Sequence, residues 1–277
     1  MANKQHTQCY TCKNYIEGEI MMLNYYEKGE GFPLFFLHGY ELDSHFLMPI
    51  FEPYFKNVKG FKRIYIDLPG MGKSRNFNLI ISDVVLSQII ELINSFHFTN
   101  FLIIGQSYGG YLALGLRAFF KRELISEFLV VPMVVPDRQQ RRLEKLTHQF
   151  VHKQHQLFDT EFQAMNSIIS QSKFYQYKKL IDKTIKENDN HKLTTFGKSR
   201  KYALKKDPVK QESNLEMMIL LGKVDNVVGF KDHNLLKKYN ENIDIKIFEN
   251  SGHNLLIDER DQALKLFDIF IKNIIIS

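Results

Sequence analysis

With 277 residues, 44% of them hydrophobic and 25% charged, the chain can bury a large core and lacks the composition of a disordered protein. No apolar run approaches bilayer-spanning length, and Met1 to Gln8 holds no apolar signal-peptide core, so no membrane partner and a cytoplasmic location are expected. The net charge of +6 is local: residues 137–213 carry 17 Lys and Arg against 9 Asp and Glu, at many helical phases, which reads as a solvated surface with no nucleic-acid partner.

Residues 1–17 read as a polar leader. It holds the only two cysteines, Cys9 and Cys12, with His6 nearby. Three close groups fall short of a closed tetrahedral site, so the pair is read as incidental, with no metal and no cofactor. Ile20 to Glu27 follows as a strand, paired with another hidden in the leader. Pro33 to Leu37 is a continuous apolar run, a strand buried on both faces, ending in His38-Gly39-Tyr40. Ser44 to Phe55 has helical spacing with Asp43 or Ser44 as cap, although Pro49 and Pro53 should bend or break it.

Arg63 to Asp67 is the next strand, closed by Leu68-Pro69-Gly70-Met71-Gly72-Lys73-Ser74. That loop is no phosphate loop, since Asp67 stands where the first glycine is required. Ser82 to Phe96 is amphipathic with helical period. Phe101 to Ile104 then leads into Gly105-Gln106-Ser107-Tyr108-Gly109-Gly110 and a helix to about Lys121, followed by a strand at Ile125 to Val131. From Asp137 to Ser213 the pattern is polar and helical, without a buried strand. The βα rhythm returns with Met217 to Gly222, a helix at Phe230 to Tyr239, a strand at Ile243 to Phe248 and a helix at Glu259 to Ile271. Alternating strands and helices imply a parallel sheet covered on both faces. The expectation is therefore an α/β core formed by 18–136 and 214–277, interrupted by an insert at 137–213.

A serine hydroxyl needs a base to take its proton, and the base needs an acid to fix its tautomer. In a parallel sheet such groups converge at the carboxyl ends of strands. Ser107 sits at the strand-to-helix turn, where glycines let the backbone pass close to itself. His253 follows the strand ending at Phe248, and Asp225 follows the strand ending near Leu221. Asp67 and Asp137 are weaker competitors for the acid. The remaining histidines fall in the leader (His6), in the insert or on helices and helix ends, except His38, which precedes Gly39 in a loop. Charge developing on a carbonyl oxygen calls for two backbone donors, here the N–H groups of Tyr40 and Tyr108.

These motifs, His38-Gly39-Tyr40, Asp67 to Ser74, Gly105 to Gly110, Gly222-Lys223-Val224-Asp225 and Ser251-Gly252-His253, resemble the cap-bearing branch of the α/β-hydrolase superfamily in their order. The resemblance implies an α/β-hydrolase fold with an eight-stranded type of mostly parallel sheet. It makes His38 and Gly39 part of an oxyanion loop, Gly105, Gln106 and Gly109 part of a nucleophile elbow, and 137–213 a helical cap. Gln106, where many relatives carry histidine, should point away from the reaction. Ser107 argues against the dehalogenase and epoxide-hydrolase chemistries, which use aspartate there. The implied activity is hydrolysis of a small ester, thioester or similar acyl substrate. Alternatives are C–C bond hydrolysis or cofactor-free perhydrolysis by the same residues, or a non-catalytic binding protein on this fold. Aromatic residues Phe162, Phe174, Tyr175 and Tyr177 suit either an acyl pocket or core packing.

Overall fold

Apolar runs without polar alternation require cover on both faces, and they form the middle of the sheet. The structure is a computed structural model that describes residues 8–16, 19–75, 81–151, 158–188, 193, 196 and 202–276. In chain order the elements are β1 (Gln8–Ile16), β2 (Glu19–Lys28), β3 (Phe32–Leu37), α1 (Ser44–Phe55), β4 (Phe61–Ile66), α2 (Ser82–Ser95), β5 (Phe101–Gln106), α3 (Tyr108–Leu116) and β6 (Leu124–Val130). The insert holds β7 (Gln149–Phe150), α4 (Thr160–Met165), β8 (Ile168–Ile169), α5 (Gln171–Tyr177), a π-helical turn at Lys178–Asp182 and α6 (Lys183–Glu187). The core resumes with β9 (Glu216–Gly222), a 3₁₀ helix at Phe230–Lys238, β10 (Ile243–Phe248), α7 (Leu255–Asp258) and α8 (Arg260–Ile276).

The described residues form an eight-stranded sheet in the order β1-β2-β4-β3-β5-β6-β9-β10. β2 runs antiparallel to β1 and β4, and the other neighbours are parallel. Successive residues of β3 show the two covered faces. Phe35 packs against Phe96, Phe98 and Phe101, behind α2. Phe36 packs against Phe51 and Phe55 of α1, and Phe51 meets Phe267 of α8.

The strand expected within the polar leader is Gln8–Ile16, in register with β2, with Cys9 opposite Tyr26 and Cys12 opposite Leu23. His6 lies outside the described residues. Three elements differ from the sequence expectation. α1 runs through both prolines unbroken. Pro53 has no N–H for the carbonyl of Pro49, and Arg260 Nη2 donates to that oxygen at 3.0 Å instead. The helix after Ser107 ends at Leu116 rather than near Lys121, tightening into i→i+3 bonds such as Phe119 N–H to Leu116 O at 3.0 Å. Phe230–Lys238 is 3₁₀ rather than α-helical. In the insert the helices are short, and β7 and β8 pair in parallel. No helix among the described residues is long and apolar enough to cross a membrane.

Candidate active site

Between β5 and α3 the chain reverses at a single residue, and Ser107 takes φ +52° and ψ −115° to do so. A side-chain-bearing residue is strained there and persists only where its surroundings fix it. The Ser107 N–H donates to Val130 O at 3.0 Å, and its carbonyl accepts from Met133 N–H at 3.0 Å and Tyr111 N–H at 3.1 Å. Gly109 has no substitute, because a Cβ there would stand 2.2 Å from the carbonyl oxygen of Leu37.

The loop after β10 brings His253 to the same rim. Its Nε2 lies 3.0 Å from Ser107 Oγ, and its Nδ1 lies 2.9 Å from Asp225 Oδ2. An ionised carboxylate only accepts, so Nδ1 carries the proton and Nε2 is left to accept from the serine hydroxyl. The other Asp225 oxygen, Oδ1, accepts from the N–H groups of Val227 at 2.7 Å and Val228 at 3.0 Å. Burial alone would push the Asp225 carboxyl up, but the His253 ring and these two donors hold it below the ordinary carboxylate value. The two loops are stitched together, with Val224 N–H donating to Ser251 O at 3.2 Å.

On the other side of Ser107 runs the loop His38-Gly39-Tyr40. His38 is buried, and its Nε2 accepts from Leu68 N–H at 2.9 Å. Its Nδ1 must then donate, and it meets Gly39 O at 2.8 Å. Burial lowers its pKa, so the neutral ring is a fixed strut between this loop and the loop at 67–74. Gly39 lies against the nucleophile: a Cβ there would be 3.3 Å from Ser107 Cβ and 2.2 Å from Gln106 Oε1. Gln106 Oε1 is thus buried against Gly39. The Tyr108 N–H opens α3, where no intrahelical acceptor exists.

Asp67 accepts from Ser44 N–H at 2.9 Å and Lys73 N–H at 3.0 Å, satisfying turn donors as read from sequence. Asp137 caps a short 3₁₀ turn through Gln139 N–H. His45 pairs with Asp43, and His233 is buried between Pro132 O and Phe230 O. His152, His155 and His191 lie outside the described residues. Among the described residues no group of three His, Cys, Asp or Glu side chains could hold a metal ion.

Ser107 and His253 open into a cavity of about 1010 Å³, with Asp225 buried behind the histidine; the cavity is walled by the core through Leu42, Met133 and Val228 and by the insert through Met165, Ile181, Ile185 and Leu193. Phe162, Phe174 and Tyr177 are not in its wall. They pack on one another, at 5.3 Å and 5.5 Å between ring centroids, as the insert's own core, and Tyr175 is exposed. Three residues that pattern alone did not single out support the rim. Arg141 donates to the carbonyls of Val135, Pro136 and Val227, joining the insert's first turn to the Asp225 loop. Asp258 and Asn188 tie the insert to the two loops of the site. Their signal is long-range pairing, which no local motif carries.

The model of the alpha/beta hydrolase family matches residues 34–265. A solved alpha/beta superfamily hydrolase from Oenococcus oeni PSU-1 is 31% identical, with a TM-score of 0.82 over 90% of this chain and 95% of that one. An esterase from Exiguobacterium antarcticum, 18% identical over 91% and 96% of the two chains, superposes with a TM-score of 0.68. A 2-succinyl-6-hydroxy-2,4-cyclohexadiene-1-carboxylate synthase from Escherichia coli O1:K1 is 33% identical over 81 residues, 29% of this chain, so the match spans about a third, 31%, of that relative's length. From the extent of the family match and the agreement of the fold, the chain belongs to the alpha/beta hydrolase family.

Proposed function

We propose that the protein is a serine hydrolase that cleaves a small ester, thioester or related acyl compound, with the insert as a cap over the site. The observation that carries this reading is the hydrogen-bonded file of Ser107 Oγ, His253 and Asp225, 3.0 Å and 2.9 Å long, whose first two members line the cavity. His253 Nε2 takes the proton of Ser107 as Oγ bonds to the acyl carbon. Asp225 stabilises the imidazolium that forms. The oxyanion accepts from the N–H groups of Tyr40 and Tyr108. Collapse expels the alcohol or thiol, protonated by His253, and a water deprotonated by the same ring then releases the acid.

A second reading keeps these side chains but applies them to substrates other than esters. The 33% identity to the synthase over 81 residues favours it. One experiment covers both: a panel of p-nitrophenyl esters, with wild type and Ser107→Ala, alongside labelling by a fluorophosphonate probe. Ser107→Ala should lose about three orders of magnitude or more in kcat and all labelling. Labelling of Ser107 without turnover of any ester would favour the second reading. Wild-type turnover by Ser107→Ala would end both.

A further inference from the structure

The insert touches the loop beside Ser107 at points that neither nucleophile nor base uses. Asn188 ends α6 and is buried. Its Nδ2 donates to Glu41 O at 2.7 Å, and its Oδ1 accepts from Gly72 N–H at 2.8 Å. One amide thus bridges the turn after Tyr40 and the loop at 67–74, which are 147 and 116 residues away along the chain. Both partners are in the left-handed region, Glu41 at φ +65° and Gly72 at φ +54°. Glycine accepts this freely. Glutamate does not, and such a residue holds its conformation only when neighbours over-determine it.

The turn spans Gly39 to Leu42, closed by Leu42 N–H to Gly39 O at 3.2 Å, and the Tyr40 N–H lies within it. From the core side it is braced by His38 on Leu68 and by Asp67 on Ser44 and Lys73. From the insert side Asn188 holds the Glu41 carbonyl, while the Tyr40 hydroxyl donates to the carbonyl of Leu193. The Tyr40 ring also packs on Tyr202, 5.1 Å between centroids.

We propose that Asn188 is a positioning residue: by bridging Glu41 and Gly72 it holds the turn so that the Tyr40 N–H points to the developing oxyanion. The proposal rests on the serine-hydrolase reading above. Seating of the insert and alignment of the oxyanion donor are then one event, and a displaced donor costs rate rather than ground-state binding.

Asn188→Ala removes both bonds, and Asn188→Asp keeps the acceptor toward Gly72 while losing the donor to Glu41. Each is compared with wild type and Ser107→Ala on p-nitrophenyl butyrate, with kcat normalised to the sites that react with fluorophosphonate. The expected result is a fall in kcat of about tenfold or more with KM within about twofold, and an equal fall in the rate of fluorophosphonate labelling, which also builds charge on an oxygen facing Tyr40. Loss of stability alone would lower the number of active sites and leave the normalised kcat untouched. Should Asn188→Ala fail to fold, Asn188→Asp and Asn188→Ser carry the same test. Wild-type kcat in the folded variants, or a rise in KM alone, overturns the proposal while an inactive Ser107→Ala leaves the hydrolase reading standing. Turnover by Ser107→Ala equal to wild type removes that reading and the proposal with it.

Discussion

Ser107 combines two demands that glycine would separate. Its hydroxyl must stand at the tip of the turn, and its backbone must hold φ +52°, a conformation costing a side-chain-bearing residue about 1–3 kcal/mol. Ser107→Gly removes the strain together with the nucleophile, whereas Ser107→Ala removes only the nucleophile. Glycine also gains freedom in the unfolded chain, which offsets part of the relief. We therefore expect Ser107→Gly to be more stable than Ser107→Ala by about 1 kcal/mol in urea denaturation, with both inactive. Equal midpoints would mean that the turn stores no strain. At this scale the residues legible in the sequence were those whose neighbours are also their constraint. Ser107 has its glycines, and His253 and Asp225 each follow a strand end closely. Asn188 and Arg141 sit in polar stretches with nothing local to mark them, because their partners are distant carbonyls.

Among the elements, the buried strands were readable nearly to the residue. β3, β5, β6 and β9 are short, largely apolar runs that only a covered sheet can accommodate, β10 alternates apolar and charged residues as an edge strand, and α2 has an apolar stripe. The 3₁₀ helix at Phe230–Lys238 and the short pieces of the insert were not, since period alone does not separate α from 3₁₀ geometry or reveal a two-residue strand. Among the residues that join the insert to the core is Asp258, at the end of α7. Its buried carboxylate accepts from Gly252 N–H at 3.1 Å beside His253, and from Ser167 N–H at 3.1 Å, Ile168 N–H at 3.2 Å and Asn166 Nδ2 at 3.3 Å. Asn254 Nδ2 adds a bond to Asn166 Oδ1 at 2.8 Å. Asp258→Ala would leave three backbone donors buried without an acceptor, at about 1–3 kcal/mol each when unrelieved. We expect the variant to lose roughly 3 kcal/mol or more of unfolding free energy, measured by urea denaturation at neutral pH. A loss under about 1 kcal/mol would show that this carboxylate does not fasten the insert.

Across the whole molecule, the middle of the sheet is covered so completely that a carboxylate is trapped within it. Glu127, on β6, is fully buried, and neither carboxylate oxygen has a hydrogen-bond partner. The nearest cation is Arg117, whose Nε is 3.7 Å from Oε2 but whose own bonds go to the carbonyls of Leu114 and Pro208. Burial raises the Glu127 carboxyl to about 7, against the smaller opposing pull of Arg117. The sign follows from linkage. Below the ordinary value of 4.5 the acid is protonated folded and unfolded alike, and it does not affect stability. Between 4.5 and about 7 the unfolded chain releases the proton while the folded chain keeps it, so stability falls as pH rises, and above that it levels off. The full change is roughly 3 kcal/mol. Glu127→Gln cannot ionise and should lack this slope: near wild-type stability at pH 4.5, then an advantage growing toward roughly 3 kcal/mol by pH 8. Denaturation curves for the two proteins, taken at half-unit steps, read the difference directly, and curves that stay parallel from pH 4.5 to 8 would mean that the folded chain ionises Glu127 as readily as the unfolded one.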